Sequence, residues 1–125
     1  MSMTFVDFQQ IICRRLEDAG IAAPVYAAEE PVHLYRLPAI TVAMSSQSGN
    51  ACEGWWEAMV TVSCIAAREP DAYRLAHDVR AVLDGFGGYG VADISHISTV
   101  PVRVYDTAPV TQTYAMTFRV LYQEL

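Results

Sequence analysis

The chain has 125 residues, of which 53% are hydrophobic and 18% are charged, so it can bury a substantial core. Fourteen acidic side chains oppose eight basic ones, all arginine, and the net charge of −6 argues against a protein that wraps nucleic acid, which needs a positive surface. No apolar run is as long as a membrane span, and the start, MSMTFVDFQQ, lacks the basic and apolar blocks of a signal peptide. We therefore expect a protein that is made and kept in a cytoplasm.

The first part of the chain predicts one helix and one strand. Thr4 stands where a capping box begins, and apolar residues then recur at helical spacing until Gly20, which predicts a helix over residues 4–19. After a stretch punctuated by prolines, LPAITVAM (37–44) predicts a strand. SSQSGNACEG (45–54) is polar and contains glycine, which is typical of a long surface loop.

A second strand and a second helix follow. Apolar and polar residues alternate over 56–67, which predicts a strand with one apolar face. Pro70 suits the first position of a helix, and the apolar spacing beyond it predicts a helix over residues 70–84. Gly85 stands where a helix cap belongs.

Two long extended runs close the chain and predict strands over residues 94–105 and 112–123, joined by the hairpin loop DTAPVT (106–111). Simple alternation predicts one row on each strand: Ile94, His96, Ser98, Val100, Val102 and Val104 on the first, and Tyr114, Met116, Phe118, Val120 and Tyr122 on the second. Together the elements predict an α+β fold, a single domain over residues 1–125, with an antiparallel-dominated sheet of four to five strands packed with two helices.

The glycines of DGFGGYG (84–90) match the spacing of a dinucleotide-binding fingerprint. That fingerprint requires a strand before the glycines and a helix after them, so that the pyrophosphate meets a helix N-terminus. Here a helix precedes the glycines and a strand follows, so a phosphate would face the negative end of the helix dipole beside Asp84. We interpret the match as a helix cap and turn, and expect no cofactor.

The residue types that perform catalysis or bind metals are scattered. The three cysteines, Cys13, Cys52 and Cys64, form no paired motif, and the three histidines are equally separate, so neither a disulfide framework nor a metal site is predicted. Cys13 and Cys64 fall in helical and strand patterns and are expected in the core, whereas Cys52 could be a reactive thiol in a loop. No nucleophile sits on a recognisable elbow, so we do not expect an enzyme.

Aromatic and arginine residues indicate contact surfaces instead. Trp55 and Trp56 are adjacent at a strand start, so they belong to opposite faces of the sheet. Either one ring enters the core and the other anchors an interface, or helices cover both faces and both rings are buried. Alternation also assigns Arg103, Tyr105, Arg119 and Leu121 to the face opposite the more apolar one, a mixture typical of a partly buried contact surface.

Three segments, residues 37–48, 57–85 and 100–124, together resemble a family of small bacteriophage and prophage proteins, the tail-terminator (tail-completion) and head–tail joining proteins of long-tailed phages. LPAITVAMSSQS (37–48) resembles that family's first core strand and polar loop. EAMVTVSCIAAREPDAYRLAHDVRAVLDG (57–85) resembles its strand-and-helix unit, and VPVRVYDTAPVTQTYAMTFRVLYQE (100–124) its closing hairpin.

The resemblance implies a virion structural protein of the phage tail or neck, synthesised in the bacterial cytoplasm. Its implied partners are further copies of itself in a ring, typically of six, the tail tube protein and a head connector protein, with no membrane and no sequence-specific nucleic acid binding. An acidic ring would repel a passing DNA duplex and let it slide. In such a ring we expect the contacts at Trp55, Trp56, Arg103, Tyr105 and Asp106, because sheet edges and loops on opposite sides suit head-to-tail contacts.

One alternative comes from a different class of protein. The chain could be a small ligand-binding or enzymatic α+β domain that uses the 45–56 loop as a lid, with Cys52, Glu53 and Trp55 lining the pocket. This hypothesis requires an enclosed cavity beside a loop at those residues.

Overall fold

A computed structural model describes residues 5–21, 23–27, 38–52, 55–85, 91–104 and 111–123. These residues form two helices and five strands. In chain order they are α1 (Phe5–Asp18), β1 (Val25–Ala27), β2 (Ala39–Cys52), β3 (Trp55–Ala66), α2 (Glu69–Leu83), β4 (Val91–Val104) and β5 (Thr111–Gln123).

The described strands form one sheet in the order β1-β2-β3-β5-β4. The β1–β2 pair is parallel and the three other pairs are antiparallel. The predicted fold class is confirmed, because an antiparallel-dominated sheet of five strands packs with two helices. The predicted helix and strand boundaries agree with the structure to within three residues at most ends, and β2 is the exception.

Both helices pack on one face of the sheet. The buried residues of α2, Ala72, Leu75, Ala76, Val79 and Leu83, recur at helical spacing and form one stripe. They meet the alternate residues of β3 and β5, of which Val60, Val62 and Phe118 are almost completely buried. Ile12 and Leu16 of α1 join the same cluster. The face that β3 and β5 turn toward the helices is therefore the main core.

The ends of α2 follow from its sequence. Pro70 occupies the first turn, where its missing N–H breaks no helical hydrogen bond, and Glu69 and Asp71 complement the helix dipole there. After the helix Gly85 has a φ of 82°, a left-handed conformation that favours glycine, and its N–H donates to the carbonyl of Ile94 at 2.8 Å. The predicted cap at Gly85 is confirmed, and so is the order helix, glycines, strand. The proposed capping residue Thr4 lies outside the described residues.

The predicted loop over residues 45–54 is wrong for most of its length. β2 continues to Cys52, and its pairing with β3 runs from Ala39↔Ile65 to Cys52↔Trp55. Two register irregularities, after Met44 and after Gly49, accommodate the polar and glycine-containing sequence without ending the ladder. Strand pairing across a hairpin outweighs the low strand propensity of these residues.

The predicted row along β4 is also wrong, because a register shift falls between His96 and Ser98. His96 pairs with Phe118 on the helix-covered face, whereas Ser98 pairs with Thr117 on the other face and Thr99 with Met116. A bulge inserts one residue and reverses the alternation beyond it. Ile94 and His96 therefore lie on the helix side, and Val100 does not.

The left-handed backbone at Gly85 gives a direct test of this turn. A Cβ added there meets nothing within 4 Å, so Gly85→Ala should cost only the backbone term, roughly 1–2 kcal/mol of unfolding free energy. Gly85→Asn should cost less, because asparagine tolerates this conformation. Urea unfolding of both variants measures the difference, and an equal loss for the two would contradict the explanation.

Candidate interaction surface

β4 is an edge of the described sheet, since among the described strands it pairs with β5 alone. α2 packs mainly over β3 and β5 and barely reaches β4. Residues 97–101 of this strand are exposed, and the Ile97 and Val100 side chains are 51% and 52% accessible. Exposed apolar residues that cluster at a sheet edge are typical of an interaction surface.

A groove lies between α2 and this exposed half of β4, with a volume of about 180 Å³. Its α2 wall is formed by residues at i, i+4 and i+7, on the flank beside the buried stripe. The bulge in β4 brings Thr99 to the opposite wall. The lining residues are Tyr73, Ala76, His77, Arg80, Thr99, Tyr114 and Met116.

Two tyrosines form one end of the groove. The Tyr73 and Tyr114 rings are 5.7 Å apart at 73°, an edge-to-face contact. The Tyr114 hydroxyl donates to Glu69 Oε1 at 3.1 Å. Partial burial and this bond to a carboxylate raise the pKa of Tyr114 above its ordinary value, so the hydroxyl stays protonated as a donor. The α2 flank and β5 thus hold the Tyr114 ring in place.

Contacts around the bulge order the β4 wall. His96 Nε2 lies 2.6 Å from Thr99 Oγ1, across the inserted residue, and the His96 ring meets Phe118 edge-to-face at 5.5 Å. The His96 backbone N–H donates to Asp84 Oδ1 at 3.3 Å. These contacts link the end of α2 to the point where β4 changes face.

The groove contains an arginine and a histidine. Arg80 and His77 lie on its α2 wall, and neither side chain makes a hydrogen bond or ion pair with another described residue. Because the Arg80 guanidinium has no partner among the described residues, it is available to an external anionic group. The sequence pattern gave no signal for this groove, because it depends on the bulge.

The predicted contact residues that the structure describes lie at opposite ends of the sheet. Trp55 begins β3, opposite Cys52 and Gln123, and Trp56 follows it. Arg103 lies near the end of β4, opposite Gln112. The positions of Trp55 and Arg103 are therefore about 37 Å apart along β5, at about 3.4 Å per residue. Tyr105 and Asp106 lie outside the described residues.

The predicted common face for Arg103, Arg119 and Leu121 is wrong. Arg103 pairs with Gln112, and Gln112 pairs with Ala66. Ala66 alternates in phase with the core residues of β3, so this row belongs to the helix-covered face of the sheet. Arg119 pairs with Met59 on the other face. The β4 bulge is again the physical reason, because it shifts every later residue to the opposite row.

The thiols that the structure describes are protected. Cys64 is fully buried in β3, and burial, with a smaller contribution from Asp78, raises its pKa to about 12. Burial and Glu17 raise the pKa of Cys13 in α1 to about 11. Both were predicted as small core residues, which is confirmed for Cys64, while Cys13 is half-buried against the core.

The lid hypothesis requires a loop over residues 45–56. In the structure residues 45–52 belong to β2 and Trp55 belongs to β3, while Glu53 lies outside the described residues. No group of three metal-ligating side chains occurs among the described residues. Neither α1 nor α2, the helices of the described part, is long and apolar enough to cross a membrane.

Thiol reactivity tests the burial of Cys13 and Cys64. In a Cys52→Ser background, Cys13 should react with a disulfide reagent at pH 8 at least about 100-fold more slowly in the folded chain than in urea, because its raised pKa removes the thiolate. Cys64 should react more slowly still. Rapid labelling of the folded chain at both positions would contradict the structure.

Comparison with known proteins relates the fold of this chain to a solved virion structure. No family model matches the chain, and no curated protein matches it either. Among solved structures, a chain of the "Virion of native gene transfer agent (GTA) particle" superposes with a TM-score of 0.54 at 17% sequence identity, over 90% of this chain and 84% of that chain. At this identity the match establishes a shared fold.

Proposed function

We propose that this protein is a structural component of a phage or prophage virion that caps the tail tube and joins the tail to the head through ring-forming self-association. The observation that carries the proposal is the fold, shared over nine-tenths of the chain with a component of a gene transfer agent virion. The resemblance of residues 37–48, 57–85 and 100–124 to tail-terminator and head–tail joining proteins supports the specific role.

The layout of the sheet supports a ring. Each subunit of a ring uses two different patches, one for each neighbour, and the rotation between them closes. The Trp55–Trp56 end and the Arg103 end lie at opposite ends of long paired strands, so one subunit presents them in opposite directions. The remaining proposed partners are the tail tube protein and the head connector protein.

Deletion of the gene from the phage or prophage that encodes this chain tests the role. We expect tails of irregular length and heads without attached tails in negatively stained lysates, because tube growth would lack its stop. Expression of the wild-type chain in trans should restore both features. Tails of normal length, joined to heads in the deletion strain, would overturn the proposal.

Substitutions at the two ends test the contacts. Trp55→Ala and Arg103→Glu should each weaken ring assembly or tube binding by roughly 2 kcal/mol, the cost of removing a central interface anchor. The thermal unfolding of the monomer should be nearly unchanged. Arg14→Glu, an exposed position on α1 with the same charge change as Arg103→Glu, is the control and should bind like wild type.

Light scattering and tail-tube pull-down measure assembly, and circular dichroism measures unfolding. Tube binding at wild-type strength by both folded variants would rule out these contacts. Loss of the fold in both variants would instead assign the two residues to the core.

A further inference from the structure

We propose that the groove between α2 and β4 receives the hairpin tip, CEGWWE (52–57) between β2 and β3, of a second copy of this chain. The inference rests on the proposed self-association and names the surface where it occurs. It assigns to Arg80, His77, Tyr73 and Tyr114 a role in binding the neighbouring subunit.

The charges of the two surfaces are complementary. The groove carries the Arg80 guanidinium without a partner among the described residues, whereas the hairpin tip contains two glutamates and no basic residue. Glu57 is half-buried at the start of β3. A guanidinium that meets a carboxylate at a partly desolvated contact forms a charge-assisted hydrogen bond, the stronger kind.

The size and lining of the groove select an aromatic side chain. A cavity of about 150 Å³ holds one benzene ring, whereas pockets for cofactor-sized ligands begin near roughly 300 Å³. At about 180 Å³ the groove suits a single side chain. Tyr73 and Tyr114 supply ring edges and faces, and Arg80 supplies a cation for a π face. The hairpin tip contains both tryptophans of the sequence.

The geometry requires two copies. Tyr114 pairs with Cys64 near the end of β3, whereas Trp55, at its start, pairs with Gln123. The tip and the groove are thus about 30 Å apart along β5, at about 3.4 Å per residue, and one rigid sheet cannot bring them together. A tip that enters a neighbour's groove makes a head-to-tail contact, the type that builds rings.

Strand addition at the β4 edge is the competing way to join two copies, and the edge itself opposes it. The bulge after His96 breaks the regular ladder, and Pro101 has no N–H to donate. The same bulge places Thr99 on the groove wall, so the feature that blocks edge pairing builds the groove.

Sedimentation equilibrium over a concentration series, together with tryptophan emission, tests the proposal. Arg80→Glu and Trp55→Ala should each lower the association constant about 30-fold or more, the effect of losing an interface anchor. Arg74→Glu carries the same charge change on the exposed surface of α2, outside the groove, and should associate like wild type. Wild-type emission should shift to shorter wavelength as the chain associates, and the Arg80→Glu variant should lack that shift.

Mixing the Arg80→Glu and Trp55→Ala variants is the most discriminating experiment. Arg80→Glu keeps an intact tip and Trp55→Ala keeps an intact groove, so the two variants together should form heterodimers and nothing larger, while each alone stays monomeric. The comparison of tryptophan emission between the wild-type chain and Arg80→Glu uses the native tip in both proteins. It therefore tests the groove contact even if Trp55→Ala fails to fold.

The groove contact would be overturned by wild-type association of Arg80→Glu, by equal weakening by Arg74→Glu, or by no pairing of the folded variants on mixing. A wild-type chain that stays monomeric throughout the series, with unshifted emission, would also overturn it. The virion role is then decided separately by the gene deletion, which does not depend on this contact.

Discussion

The packing of α2 across β3 and β5 is the interaction on which the other features depend. Its apolar stripe is one helix face wide and covers the two central strands, so it leaves the outer half of β4 uncovered. The flank of α2 beside the stripe then forms a wall above that exposed strand. The same helical periodicity that buries Leu75 and Val79 therefore positions Tyr73, His77 and Arg80 over the groove.

The β4 bulge converts an exposed edge into a shaped surface. A regular strand would continue the alternation of Ile94 and His96 and would present a straight ladder to any other chain. The inserted residue moves Thr99 to the helix side and leaves Val100 on the other face. Contacts of His96 with Thr99 and Phe118 hold this arrangement.

The fold could be predicted from the sequence where the hydrophobic periodicity was regular. It could not be predicted where strand pairing determined the structure against the local sequence pattern. The stripe of α2, the alternation of β3 and the cap at Gly85 are local signals, and the structure contains all three. Residues 45–52 look like a loop by composition, but a neighbouring strand extends them into β2. The bulge has no composition signal in ISHIST (94–99), so the groove and the true row of Arg103 were not predictable.

Self-association of this chain must overcome its own charge. Copies with a net charge of −6 repel one another at distances up to roughly a Debye length, about 8–10 Å in physiological salt, so a stable contact requires local attraction at short range. In the proposed contact Arg80 would supply that attraction, because its burial by a neighbour would bring a positive group against an acidic tip while the acidic remainder of each subunit faces solvent. In the proposed contact the general repulsion would disfavour other modes of association and so favour a single orientation.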